Sequence, residues 1–206
     1  MKRRPQPAYE QSVFINCPFD PLFQELMLAI VFAVAAHGLT PRSALETDGS
    51  SDPRFLRILQ ILSRCKYSIH DLSRFTGEGA DNSARFNMPL ELGIACGLRF
   101  ERAGSARSHN IFVLVLEGFG YQKFVSDLAG FDPGRHSQTV ESVIREVSAW
   151  LRIQEDTIEP APSASQIYGV FGTFRSHVAS LRSEALEKQS WADLLLAASK
   201  TVPIVK

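Results

Sequence analysis

The residues best suited to chemistry come after apolar segments of the sequence. Residues 16–20 read Asn-Cys-Pro-Phe-Asp, and residues 70–74 read His-Asp-Leu-Ser-Arg. Glu91 stands four residues after Asn87, a good N-cap residue, and so lies on roughly the same side of a helix. The positive end of the helix dipole is expected to keep Glu91 ionised. An ionised carboxylate there suits a nucleophile or an electrostatic stabiliser better than a general acid.

The spacing around Glu91 also fits a purely structural role. A glutamate in the first turn of a helix is a common stabilising choice, so periodicity alone leaves both interpretations open. Gly93 and Gly97 follow on the same helix, where they leave room for close packing on a sheet or for a ligand.

Hydrophobic patterning predicts the elements that position these groups. Short apolar runs predict strands near residues 12–17, 39–44, 67–72 and 111–116. Asp-Pro pairs at 20–21 and 52–53 predict helix starts, and a third helix is expected at about 88–100. After residue 138 the pattern is helical only, and residues 163–166 form a candidate capping box.

Alternation of strands and helices predicts an α/β fold. We expect a flavodoxin-like (Rossmann-like), doubly wound parallel sheet of four or five strands with a C-terminal helical extension. In strand order 2-1-3-4, ligands bind where the order reverses, between the first and third strands. The predicted organisation is a flexible N-terminus (1–11), an α/β domain (12–135) and the helical extension (136–206).

Composition narrows the classes of function. Among 206 residues, 22 lysines and arginines balance 22 aspartates and glutamates, which argues against a general nucleic-acid binder. Three cysteines without a CxxC pair give no support for a zinc or redox site, so no metal and no cofactor are expected. No signal peptide is recognised, and the longest apolar stretch is too short to span a bilayer. We therefore expect a cytoplasmic protein.

Several motifs together resemble a known superfamily. Residues 87–95, Asn-Met-Pro-Leu-Glu-Leu-Gly-Ile-Ala, resemble the NxxxELGxA motif of the TIR and nucleoside 2-deoxyribosyltransferase-like superfamily. Residues 71–73, Asp-Leu-Ser, resemble its D-L-[ST] turn. Residues 13–20 resemble the first strand and ligand loop of bacterial TIR-like proteins, and residues 121–127 also resemble that bacterial group. The resemblance covers roughly residues 12–135.

This resemblance implies cleavage of an N-glycosidic bond, in NAD or in a related nucleotide or nucleoside. Glu91 is then the catalytic residue, stabilising or capturing the oxocarbenium-like sugar. The residues implied in substrate binding are Asn16, Pro18, Phe19, Asp20, Asp71, Ser73, Arg85 and Asn87. Arg42, Arg74 and Arg85 are candidates to meet a pyrophosphate. The bacterial relatives also suggest a role in antiphage defence.

Two alternatives to an enzyme stay open at this point. Leu90 stands where relatives often carry an aromatic residue, which favours a nucleotide-sensing module that binds without cleavage. The apolar stripes of the C-terminal helices are typical of core or of an oligomer contact, which favours an assembly scaffold. The expected partners are a nucleotide or nucleoside and further copies of the chain, through these helices or TIR-like surfaces, with no nucleic acid or membrane.

Overall fold

A computed structural model describes residues 7–47, 53–74, 87–118, 121, 125–128, 130–185 and 190–205. The strands are β1 (Ser12–Asn16), β2 (Thr40–Arg42), β3 (Tyr67–Asp71), β4 (Asn110–Leu116) and β5 (Gly134–His136). The helices are α1 (Gln24–Ala36), α2 (Arg54–Leu62), α3 (Asn87–Glu101), α4 (Val140–Leu151), α5 (Ala164–Ala185) and α6 (Trp191–Thr201).

The five strands form one parallel sheet in the order β2-β1-β3-β4-β5. This arrangement confirms the predicted doubly wound, flavodoxin-like α/β fold. The order reverses between β1 and β3, where Asn16 pairs in register with His70. Both residues lie near the carboxyl ends of their strands, at the edge where this class of fold binds ligands.

Helices cover both faces of the sheet, which explains why its strands are apolar throughout. In β4, Phe112 and Leu114 point into a core shared with α1, α4, α5 and α6. The alternating Ile111, Val113 and Val115 point into a second core shared with α2 and α3. A strand buried on both faces has no polar side to present, so the alternation typical of a half-exposed strand is missing.

Helix α1 is buried on nearly all sides, because it packs against the sheet and against α4, α5 and α6. Phe174 of α5 is fully buried and stacks on Phe32 of α1 with ring centroids 4.6 Å apart. The apolar stripe of α5 therefore belongs to the core of this chain, and an oligomer contact through it stays a prediction. The predicted segment boundary at 135/136 falls within β5, and the division into segments also stays a prediction.

The starts of two helices follow the predicted capping chemistry. Asp20 Oδ1 accepts hydrogen bonds from the backbone amides of Leu22 (3.0 Å) and Phe23 (3.1 Å). Because residues 20–23 form a tight turn, α1 begins at Gln24 rather than directly after the Asp-Pro pair. The capping box of α5 is confirmed by reciprocal bonds between residues 163 and 166, at 2.8 and 3.2 Å.

No helix in the described ranges combines the length and the apolar character needed to span a bilayer.

Replacing Phe174 with alanine should lower the free energy of unfolding by about 3–5 kcal/mol, because it removes a buried ring from the contact between α5 and α1. Urea denaturation followed by circular dichroism measures this loss. Phe100→Ala is the matched control: that ring is 87% exposed, so the change should stay within about 0.5 kcal/mol. Equal losses in the two variants would contradict the view that the C-terminal helices complete the core.

Candidate functional site

The predicted site residues gather at the carboxyl edge of the sheet, where the first loop follows β1. Asn16 is buried at the end of β1, and Pro18 is buried behind it. Phe19 and Asn87 are exposed at the rim, at the first loop and at the first residue of α3. Arg85 lies outside the described residues, so its predicted role in binding stays a prediction.

Glu91 lies on the face of α3 that packs against the sheet. The buried residues of this helix are Met88, Glu91, Leu92 and Ala95, which repeat at helical spacing and form one stripe. Glu91 is only 8% exposed. Within the described part of the chain, no hydrogen bond or ion pair to its carboxyl group is found. A carboxyl group thus occupies a position in the stripe where an apolar residue would normally stand.

Burial raises the pKa of Glu91 to about 7, and the positive charge of Arg54 only partly opposes this effect. The expectation that the helix dipole keeps Glu91 fully ionised was therefore wrong. A dipole interaction is worth about 0.3–1 kcal/mol, whereas a rise from 4.5 to about 7 corresponds to about 3 kcal/mol. Near neutral pH, Glu91 is present in both protonated and ionised forms, so it can accept or donate a proton.

Asp71 organises the loop after β3. Its Oδ1 accepts hydrogen bonds from the Ser73 amide (2.8 Å) and the Ser73 hydroxyl, and its Oδ2 accepts from His136 Nε2 (3.1 Å). The Gln138 amide donates to His136 Nδ1, which places the histidine proton on Nε2. The Asp71 carboxylate is fully buried, so its predicted contact with a sugar hydroxyl would require one of these bonds to be exchanged.

Asp20 is also engaged within the protein. Besides capping the turn before α1, its Oδ1 accepts a hydrogen bond from Arg74 Nη2 at 2.9 Å. Arg42, another candidate for a pyrophosphate, is buried and paired with Glu46 at 2.7 Å. Two of the three arginines that the sequence suggested as phosphate ligands are therefore paired with carboxyl groups of the protein.

A buried hydrogen-bonded chain runs behind the site. Asn16 Nδ2 contacts His70 Nδ1, His70 Nε2 contacts Ser68 Oγ, and Ser68 Oγ contacts His109 Nε2, each at 2.9 Å. His109 Nδ1 contacts the Cys65 carbonyl at 2.8 Å. Burial lowers the pKa of His70 to about 3 and that of His109 to about 4, so both rings are neutral at pH 7.

Sequence reasoning did not connect His70 with Ser68 or His109. The available signal was that Ser68 and His70 alternate along β3. Residues two apart in a strand share one face, so these two side chains could be expected to lie together. The bond between His136 and Asp71 was also missed. It joins residues 65 positions apart, and local spacing carries no sign of such a pairing.

The edge of the sheet at β1 is acidic. Burial raises the pKa of Cys17 well above its usual value, and the charges of Asp71, Glu91 and Asp20 raise it further. The Cys17 thiol is therefore neutral and is not a candidate nucleophile. We call the surroundings of Asp20, Asp71 and Glu91 the acidic crevice; its negative charge is partly balanced, because Arg74 pairs with Asp20 and the charge of Arg54 acts on Glu91.

The glycines of α3 do not play one of their two predicted parts, close packing on the sheet, and the other, room for a ligand, stays a prediction. Gly93 and Gly97 are both exposed, and a Cβ at either position would meet no atom within 4 Å. They therefore do not serve close packing on the sheet. Among the residues that the structure describes, no group of three or more His, Cys, Asp and Glu side chains is arranged to hold a metal ion.

Comparisons with known proteins add little beyond the fold. No protein-family model matches the chain, and no curated protein matches it. One similar solved structure is the crystal structure of diflavin flavoprotein A3 from Nostoc sp., with a TM-score of 0.39 and 14% sequence identity, covering 71% of this chain and 95% of that chain.

The expectation that the protein uses no cofactor is corrected here, because the similar structure is that of a flavoprotein. A flavin phosphate in this fold class would lie at the switch point between β1 and β3. There the amides of Leu22 and Phe23, in the turn before α1, already donate to Asp20 and are therefore not free to bind an anion. These residues do not fit the phosphate of a flavin.

The raised pKa of Glu91 predicts a pH-dependent stability. Between pH 4.5 and about 7 the folded protein retains a proton that the unfolded chain has released, so the free energy of unfolding falls as pH rises. Glu91→Gln removes this effect. The free energy of unfolding of this variant, measured relative to that of wild type, should therefore rise by about 3 kcal/mol as the pH is raised from 4 to 9. Urea denaturation across this range measures the difference.

The control for this measurement is Glu101→Gln, the same substitution at an exposed position of the same helix. Its stability difference from wild type should not vary across the range. If the curves for Glu91→Gln and wild type stay parallel from pH 4 to pH 9, Glu91 is not desolvated in the folded protein.

Proposed function

We propose that the protein hydrolyses an N-glycosidic bond of NAD or of a related nucleotide or nucleoside, with Glu91 as the catalytic carboxylate. One observation carries the proposal: a buried carboxyl group without a hydrogen-bond partner in the described chain lies beside the ligand-binding edge of the sheet. Burying an unpaired carboxyl group costs free energy, and proteins accept this cost most often where the group reacts.

The resemblance of residues 87–95 and 71–73 to the TIR and deoxyribosyltransferase-like superfamily supports the same proposal. Both motifs belong to the region around the switch point between β1 and β3. A catalytic glutamate in the first two turns of α3 is what that resemblance implies. A role in bacterial defence signalling rests on the resemblance alone.

The acidic crevice suits the charge that develops during cleavage. When the bond between the anomeric carbon and the base nitrogen breaks, the electron pair leaves with the base and the sugar becomes an oxocarbenium-like cation. A nearby cation favours the ionised form of Glu91. The carboxylate then stabilises the sugar, either electrostatically or by transient bonding to the anomeric carbon. Water completes the reaction by adding to that carbon and releasing a proton.

Other residues of the edge have supporting parts in this proposal. Asp71 and Ser73 keep the loop after β3 in place, and Asp20 fixes the turn before α1. Phe19 and Leu90 are exposed at the rim and offer apolar surface to the leaving base. Arg54, at the start of α2, lies within electrostatic reach of Glu91 and is the cation that we assign to the substrate phosphates.

Glu91→Gln should lower the rate of base release by about 10²–10⁴-fold, because the amide cannot ionise or transfer a proton. Chromatography of reactions with NAD, NADP and free nucleosides, run also at high protein concentration, measures the release. Glu101→Gln, at the exposed end of the same helix, should retain the wild-type rate. If wild-type protein leaves every one of these substrates intact, the hydrolase proposal is wrong.

The pH dependence of the rate should distinguish two substrate classes. A cationic leaving group, as in NAD, needs no proton, so kcat/KM should rise with an apparent pKa near 7 as Glu91 of the free protein ionises. A neutral nucleoside base leaves more easily when protonated, so kcat/KM should instead fall above pH 7. Kinetics from pH 5 to pH 9 give the sign, and a rate that is flat across this range would contradict a role for Glu91 in either reaction.

Binding without turnover is the second candidate, favoured by Leu90 at a position where an aromatic residue would stack on the base. Calorimetry with NAD and ADP-ribose distinguishes it from the hydrolase. Tight binding by a protein that releases no base indicates a nucleotide-sensing module.

A further inference from the structure

Asn16 connects the end of β1 with the start of α3. Its amide nitrogen lies 3.0 Å from the Met88 carbonyl oxygen and 2.9 Å from His70 Nδ1. A carbonyl oxygen can only accept, so the atom facing Met88 must be the amide nitrogen rather than the amide oxygen. Both N–H groups of Asn16 are thereby used within the protein, one on α3 and one on β3.

The direction of every hydrogen bond in the buried chain follows from this orientation. Because Asn16 donates to His70 Nδ1, the His70 proton must be on Nε2, from which it is donated to Ser68. Ser68 then donates to His109 Nε2, and His109 Nδ1–H donates to the Cys65 carbonyl. Each group has one donor facing one acceptor, and no member of the chain is charged.

We propose that Asn16 is a positioning residue for Glu91: its amide, oriented by the hydrogen-bonded chain through His70, holds the Met88 carbonyl and fixes the start of α3. Met88 and Glu91 are three residues apart and belong to the same buried stripe. A shift or rotation of the first turn therefore moves the Glu91 carboxyl group directly. The catalytic consequence rests on the proposed hydrolase function, whereas the structural link does not.

This inference changes the part given to Asn16 by the resemblance. To bind a phosphate, Asn16 would have to offer its N–H groups, whereas towards a sugar hydroxyl its Oδ1 could still accept a hydrogen bond. In this structure those groups are buried and engaged, and their partners lie on two different elements of the fold. Removing the side chain should therefore act on the placement of Glu91 more than on substrate affinity.

The first test uses the unmodified protein. Long-range ¹H–¹⁵N NMR at pH 7 reports which nitrogen of each histidine carries the proton. The expected result is a proton on Nε2 of His70 and on Nδ1 of His109. A proton on Nδ1 of His70, or a charged ring, would overturn the proposal, because that ring could not accept from Asn16.

The second test compares Asn16→Ala with Asn110→Ala, which removes an asparagine amide at the opposite edge of the sheet. The Asn110 amide contacts Gln154 and also Arg99 near the C-terminal end of α3, so this control removes a contact of the same helix far from its first turn. Carboxyl ¹³C NMR follows the titration of Glu91. Loss of the link to Met88 should admit water and lower the pKa of Glu91 from about 7 towards its ordinary 4.5, whereas Asn110→Ala should leave it unchanged. An unchanged titration in folded Asn16→Ala protein would also overturn the proposal.

Kinetics add a readout that simple destabilisation would not give. A displaced catalytic group should lower kcat by about 10²-fold while KM stays close to the wild-type value.

His70→Asn keeps an acceptor for Asn16 and should retain more activity than His70→Leu, which keeps none; equal losses would contradict the orienting role of His70. Neither NMR test requires turnover, so a protein that cleaves nothing but shows the expected titrations refutes the hydrolase proposal and leaves the positioning role intact.

Discussion

Burial of the sheet on both faces is the constraint on which the rest of this structure depends. Parallel strands need helices on each side, and here α1 and α4 both pack on one face. Because α1 is apolar nearly all round, it needs α4, α5 and α6 to cover the sides that the sheet does not. The C-terminal helices are thus part of the same core as the sheet.

The same constraint sorts the polar groups at the carboxyl edge into two kinds. Asp71, Asp20 and Asn16 are buried or partly buried, and their partners come from neighbouring loops and strands. Such groups stiffen the edge because their hydrogen bonds join neighbouring elements. Glu91 is different, since it is desolvated and no hydrogen bond to it is found in the described chain, although the charge of Arg54 acts on it. Because burial raises its pKa to about 7, the Glu91 carboxyl group changes its protonation state near neutral pH.

The balanced total of 22 basic and 22 acidic residues conceals an uneven local distribution of charge. The charges of Asp71, Glu91 and Asp20 act on the buried Cys17 thiol, while Arg42 and Arg74 are paired with acidic partners. Asp20 also engages the amides of Leu22 and Phe23, so these amides are not free to bind a phosphate. Cleavage that passes through a cationic sugar is compatible with the acidic crevice, provided that the phosphates of the substrate lie outside it.

The sequence alone determined the parallel α/β fold, the capping box of α5, and the location of Glu91 near the switch point. These features depend on residue spacing within short segments, and spacing can be read along the chain. Only the tertiary structure decided three other features. These are the protonation of Glu91, the bond from His136 to Asp71, and the hydrogen-bonded chain from Asn16 to His109. Desolvation and hydrogen bonding depend on which distant segments pack together, and here they join residues 41 to 72 positions apart.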